Sequence, residues 1–249
     1  MGETGARGAA GATGVTRAVS GASAVGAPRA AGAAAAVSAV GAAGAAGAMG
    51  LRERKKLRMY QDVSDVAITL FLQKGFERVS VAEVAAAAQI SKPTLFRYFS
   101  SKEDLVLHRF ADHEDEAARV VAARAPGESA VDALRRQFQA GIERSDPITG
   151  VNGDPHILAF HRLLYGTPSL VARLYEYLER SEDALTVALG GGLDARLAAG
   201  QIIAVQRILA QENWRRIADG ESVADVRRDA VVAAESAFAR LEAGLPRCV

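Results

Sequence analysis

Residues 75–105 read GFERVSVAEVAAAAQISKPTLFRYFSSKEDL, and capping signals within that stretch divide it into short helices. Ser80 and Glu83 form an S-x-x-E capping box, in which the hydroxyl accepts from the third helical amide while the carboxylate reaches back to the capping residue's own N–H. Val79 and Val84 occupy the flanking staple positions, so a helix of two turns is predicted from Val81 through Ala88. Ser91 caps the next helix, with Pro93 in its first turn, where the missing amide proton costs little. Leu95 and Phe99, four apart, face inward together. Ser101 with Asp104 repeats the signal and opens a fourth, longer helix predicted to run through Arg124.

Upstream, Val63, Val66, Ala67, Leu70 and Phe71 fall on one face of a helix that ends with Lys74 and a left-handed cap at Gly75. Phe76 then folds back on the core. A supporting helix followed by two short helices joined by a tight turn is what a helix-turn-helix, here residues 80–99, needs to offer one helix to the major groove. On the exposed face of that helix, Lys92 and Arg97 can pair with phosphate or guanine, Thr94 can touch a base edge or a thymine methyl, and Tyr98 adds a phenol. Arg52, Arg54, Lys55, Lys56 and Arg58 form a basic cluster at the start of the first helix, placed to lie along the DNA backbone. Lys102 adds a cation in the first turn of the fourth helix, where the helix N-terminus already favours phosphate.

The segment from Arg54 to Phe110, a quarter of the chain, resembles the DNA-binding region of the tetracycline-repressor (TetR) family. That family reads S-K-x-T-[LI]-Y-x-[HY]-F at the third helix and K-x-x-L after it, matched here by Ser91 to Phe99 and by Lys102 to Leu105. The resemblance implies a DNA-binding set of Arg54, Ser80, Val81, Ser91, Lys92, Pro93, Thr94, Phe96, Arg97, Tyr98 and Lys102. Within it, Ser80 and Tyr98 would bind phosphate, Lys92 and Thr94 would lie near base edges, and Lys102 would anchor the far backbone. Phe96 departs from the pattern, standing where the family usually has Tyr; it has no hydrogen bond to donate, and its ring is left with a thymine methyl to meet. The resemblance further implies a cytoplasmic homodimer on a near-palindromic double-stranded DNA operator, acting as a repressor that a small apolar effector releases.

Charge supports this division. Residues 50–109 hold 11 Lys/Arg against 7 Asp/Glu, whereas residues 110–249 hold 16 against 21. A basic reader thus precedes an acidic partner that stays off the phosphate backbone. The expected fold is all-α: a three-helix domain at 50–110 and an effector-binding and dimerisation domain of about six helices at 111–249. Five further helices are predicted near 129–143, 155–165, 168–189, 195–219 and 222–243. Val223, Val226, Ala230, Ala234, Ala237 and Leu241 share one stripe of the last, and Leu197, Ile202, Val205, Leu209 and Ile217 share one of the helix before it. Those stripes suit either a four-helix bundle between two copies or burial within one.

The same region carries Phe138, Phe160, His161, Tyr165, Tyr175, Tyr177 and Trp214. Rings with polar tips among aliphatic helices suit either core or an apolar pocket. Phe138, Phe160, His161, Tyr165, Tyr175 and Trp214 are the candidate effector-pocket residues.

Residues 1–48 contain 20 Ala and 11 Gly, with no aromatic residue, Leu or Ile, too little apolar bulk to offset the entropy of ordering, so residues 1–49 are expected to be disordered. The same poverty argues against a secretory signal or a membrane span, and Met49, where composition changes abruptly, reads as an alternative start of translation. Cys248, the single cysteine, has no partner within the chain, which suits a reducing compartment. Chemistry finds little support. His108 with His113, and His156 with His161, are five apart and diverge by about 140° on a helix, unlike an i, i+4 zinc pair, so no metal site is assigned. The group His108, Asp112, His113, Glu116 reads as a solvated acidic stretch. Gly190 to Gly192 lack a following Lys-Ser/Thr and read as an interhelical loop rather than a phosphate cradle. No enzymatic activity and no cofactor are expected.

Overall fold

The computed structural model describes residues 50–111 and 113–245, so the expectations for the Ala/Gly-rich segment and for Cys248 lie outside the described residues. Among the described residues the chain is all-helical, with ten α-helices, one 3-10 turn and no strand. In order these are α1 (Leu51–Lys74), α2 (Val81–Ala87), α3 (Lys92–Tyr98), α4 (Asp104–Ala111), α5 (Glu116–Ala122) and α6 (Ala130–Glu143). The 3-10 turn Pro147–Thr149 follows, then α7 (Pro155–Gly166), α8 (Pro168–Ala188), α9 (Gly192–Ala218) and α10 (Val223–Gly244).

The helix starts at Ser80 and Ser91 are capped where the sequence puts them. Ser80 accepts from the Glu83 amide, and the Glu83 carboxylate accepts from the Ser80 amide at 2.8 Å. Ser91, Ser129, Asp154 and Ser222 cap α3, α6, α7 and α10 by accepting a first-turn amide, without the reciprocal bond. Gly75 has a positive φ of 89°, but its ψ of 143° is extended, so α1 ends by turning straight into a loop rather than through the expected left-handed cap. The predicted fourth helix through Arg124 is two helices. α4 stops at Ala111 and α5 begins at Glu116, with His113 donating its amide to Phe110 and Glu116 donating to His113. His113 and Asp115 are weak helix formers. The His113 ring bonds the Glu116 carboxylate at 2.6 Å, and that carboxylate also accepts from Gln137 on α6, so side-chain bonds across the fold hold the break open.

Two cores result. The first gathers Val63, Ala67, Phe71, Val84, Leu95, Phe99 and the whole apolar run Leu105 to Leu107, then continues into α7 and α8 through Phe160, Leu164, Leu170 and Leu174. The second packs α5, α6, α9 and α10 around Leu134, Phe138, Ile202, Ala234 and Phe238. Leu178 of α8 touches both. A buried bond from the Ser64 hydroxyl to the Leu105 carbonyl, 2.8 Å, ties α1 to α4. The 3-10 turn sits tightly on α9. A Cβ on Gly150, whose φ is +74°, would come within 1.9 Å of the Ala210 carbonyl oxygen, so no other residue fits there.

The two stripes behave differently. Val226, Ala230, Ala234 and Leu241 are buried within the chain, together with Phe238. On α9, Ile202 and Ile217 are buried, but Leu197 is 54% exposed. Leu193, Ile208 and Val232 are exposed as well, and an open groove lined by Val205, Leu209, Val232 and Ala237 runs between α9 and α10.

Candidate nucleic-acid interface and interior cavity

The recognition face is built by burying its back. Leu95 and Phe99 are fully buried under α1 and α4, which fixes the rotation of α3 and leaves Lys92, Pro93, Phe96 and Arg97 exposed. The turn from α2 is made at Gln89, whose φ of 55° is left-handed, while the Ile90 amide returns to the Ala85 carbonyl at 2.9 Å. Thr94 is half-buried, and its hydroxyl shares a 2.8 Å hydrogen bond with that of Ser91. Lys92 lies 5.9 Å from the centre of the Phe96 ring, itself 45% exposed. Among the seven residues of α3 there is no carboxylate, so the face presents cations, a hydroxyl and a ring.

The remaining expected contacts vary in availability. Arg54, Lys55, Lys56 and Arg58 are exposed along the start of α1. Ser80 is exposed, but its hydroxyl oxygen accepts from the Glu83 amide, leaving the hydroxyl proton to donate. The Glu83 carboxyl is held below its usual range, chiefly by the Ser80 backbone bond. Val81 is half-buried against the core. Tyr98 is turned inward, its ring edge-on to Tyr60 at 5.1 Å, and Arg97 lies 5.3 Å from its centre. Lys102 stands in the turn before α4 rather than within it. Its ammonium donates to the Phe76 carbonyl and lies 4.3 Å from the Phe76 ring centre. That ammonium positions the loop after α1.

Between α4, α6, α8 and α9 lies a cavity of about 160 Å³, with Phe110, Phe138, Tyr165, Leu174 and Tyr177 among its walls. His113, Glu116, Gln137, Gln206 and Arg207 supply its polar groups. A smaller chamber of about 30 Å³ is lined by Phe160, His161, Ile157 and Asp146, and shares Phe110, His113 and Ile148 with the larger. Of the six expected pocket residues, Phe138 and Tyr165 line the larger space, and Phe160 and His161 the smaller. Tyr175 does not line either; it is 52% exposed, under Arg207. Trp214 stands one layer behind, its ring 5.1 Å from Tyr165 and 5.7 Å from His161.

Tyr177, Phe110, His113, Glu116 and Arg207 were not singled out as lining residues. Tyr177 belonged to the visible aromatic group, whereas Phe110, His113 and Glu116 reach the cavity only because α4 and α5 break apart. Burial raises the Glu116 pKa, but the His113 bond and charge, Arg119 and Gln137 outweigh it and keep the carboxyl below its ordinary range. Burial raises the Tyr165 phenol, and burial with the neighbouring Asp104 charge pushes Tyr177 up to about 12, so both stay protonated.

Tyr177 connects cavity and reader. Its phenol donates to Asp104 at 3.3 Å, Arg173 donates to the same carboxylate at 2.8 and 3.1 Å, and Ser100, just past α3, donates to it as well. Burial opposes the Asp104 charge, yet the Arg173 hydrogen bonds, Ser100 and the Arg173 charge hold its carboxyl below the usual range. Among the described residues no group of His, Cys, Asp and Glu is placed to hold a metal ion, and no helix is long and apolar enough to cross a membrane.

Residues 64–108 match the family of bacterial regulatory proteins, tetR family. The chain is 32% identical over 179 residues to the HTH-type transcriptional regulator TcmR of Streptomyces glaucescens, covering 67% of this chain and 77% of that one. It is 38% identical over 50 residues to the HTH-type transcriptional regulator LuxR of Vibrio harveyi, covering 20% of this chain and 24% of that one. A solved TetR-family regulator from Streptomyces coelicolor superposes with a TM-score of 0.49 at 20% identity, over 75% of this chain and 96% of that one.

Proposed function

The chain belongs to the TetR family of bacterial regulatory proteins, and from that premise we propose that it is a dimeric repressor, freed from a near-palindromic operator when a small molecule fills its interior cavity. One observation carries the proposal: α3 exposes Lys92, Phe96 and Arg97, with Thr94 half-buried beside them and no carboxylate, on a helix locked by two fully buried residues. Such a helix can enter a major groove without rearranging, and Lys92 and Arg97 carry donors for guanine or phosphate. Arg54 and its neighbours follow the backbone, with Ser80, Ser91 and Lys102 adding phosphate contacts on either side. Two copies related by a two-fold axis would place two such helices about one DNA turn apart.

The uncovered apolar side chains of α9 and α10 support the dimer: Val232 lines the open groove between the two helices, and Leu193, Leu197 and Ile208 are exposed on α9. Release follows from shared bonding. Tyr177 on the cavity wall and Ser100 behind the recognition helix bond one carboxylate, so a ligand that shifts Tyr177 changes the spacing that α3 adopts and shifts the population away from the DNA-binding form.

Selection of bound fragments from a random duplex pool by the full chain, at physiological salt, tests the reading. A two-fold symmetric consensus is expected. Retention of duplexes with no consensus would replace it with sequence-independent binding.

A further inference from the structure

The two chambers share Phe110, His113 and Ile148 as walls and so lie against one another, with Phe160 and His161 lining the smaller. The Nδ1 atom of His161 is buried there without a hydrogen-bond partner among the described residues. A buried polar atom left unmatched is destabilising, so a ligand atom that matches it gains binding. The imidazole is neutral at physiological pH, because burial lowers its pKa to about 4. A neutral ring offers Nδ1 as an acceptor when its proton resides on Nε2.

The walls fix the rest of the ligand. Phe110, Phe138, Phe160, Tyr165 and Tyr177 make the space a slot for flat apolar rings, which pack by offset or edge contacts. Its size, about 160 Å³ with a further 30 Å³ in the smaller chamber, exceeds the roughly 150 Å³ of an apolar cavity that holds one benzene ring. Two carboxylates on the walls, Glu116 and Asp146, penalise an anion. Arg207 lines the larger chamber, beside the exposed Tyr175 ring, and does not line the smaller one that holds His161.

Resting on the ligand-released reading above, we infer that the cavity binds a neutral aromatic compound of about two fused rings whose hydroxyl donates to His161 Nδ1. No bond is made or broken; the hydroxyl proton stays on the ligand and is shared across the hydrogen bond.

Calorimetric titration of the full chain with 1-naphthol, 1-methylnaphthalene and 1-naphthoate tests the assignment without DNA. The first two match in shape and differ by the hydroxyl; the third carries the excluded charge. Naphthol is expected to bind at least tenfold more tightly than either. In His161→Phe the preference over methylnaphthalene should fall below threefold, and in His161→Gln, which keeps an acceptor, most of it should return. Equal affinity for naphthol and methylnaphthalene in the unaltered protein, or a preference that survives in His161→Phe, overturns the assignment. Operator binding by the same samples separates the two readings. A naphthol preference through His161 with unchanged DNA affinity upholds the ligand assignment and removes the release mechanism. Absent preference beside an intact operator consensus removes the ligand assignment alone.

Discussion

At the scale of single residues, Thr94, Lys102 and His161 each hold two demands at once. Thr94 offers a hydroxyl and a methyl to a groove, but its hydroxyl also bonds Ser91. Thr94→Ala leaves the cap intact, because Ser91 still accepts from the residue-94 amide, so the change should alter base preference at one operator position by about 1–3 kcal/mol while stability moves little. Competition binding with single-base operator variants reads this. Lys102 is the opposite case. Removing its ammonium deletes both a phosphate partner and the bond to Phe76, so Lys102→Ala should lower the salt slope of DNA binding by about 1 and also cost about 1 kcal/mol of folding stability. An unchanged salt slope would remove Lys102 from the interface and leave it a structural role.

His161 adds a pH dependence whose direction follows from its burial. An unfolded histidine takes up a proton near pH 6.5, but the folded ring resists until about 4, so between those values the unfolded state binds more protons and stability rises with pH. Above pH 6.5 the contribution is constant. Urea unfolding at pH 7 and pH 5 should therefore show about 2 kcal/mol more loss in the unaltered protein than in His161→Phe. Equal losses would mean that the ring is solvated.

At the scale of elements, the helix-turn-helix is the part most legible in sequence, because each of its decisions is local. Ser80 with Glu83, Ser91 with Pro93, and the Leu95/Phe99 pair all act within four residues of chain, and all are found as the spacing requires. The turn is less transparent. Gln89 adopts a left-handed φ that costs most residues about 1–2 kcal/mol, yet nothing in its identity announces it. Being exposed, Gln89→Gly should stabilise the protein by about 0.5–1 kcal/mol in thermal unfolding, the relief of strain exceeding the entropy glycine adds to the unfolded chain. A loss of stability would show that the Gln89 side chain holds the turn. The α4–α5 break escaped local reading for a related reason. Apolar periodicity runs on past it, and only the His113–Glu116–Gln137 bonds, which require α6 alongside, decide in favour of two helices.

At the scale of the whole molecule, the first core crosses from the recognition unit into α7 and α8, so reader and cavity share packing as well as the Asp104 cluster. The unpartnered face is the other global feature. Val232 is 69% exposed on α10 and contributes nothing to the fold of one chain, so Val232→Arg should leave helical content intact while converting dimers to monomers in sedimentation velocity and abolishing tight operator binding. A variant that remains dimeric would move the interface elsewhere. The sequence by itself determined the helical class, the N-caps at Ser80 and Ser91, the exposed face of α3 and the family, because those depend on residue spacing within a few turns. Only the tertiary structure decided that Tyr177 rather than Tyr175 lines the cavity, that Lys102 is tied to Phe76, and that Leu197 faces outward while Ala234 is buried. Each of those outcomes turns on which side of a helix meets a neighbour distant in sequence, and helical periodicity fixes the stripe without saying what will cover it.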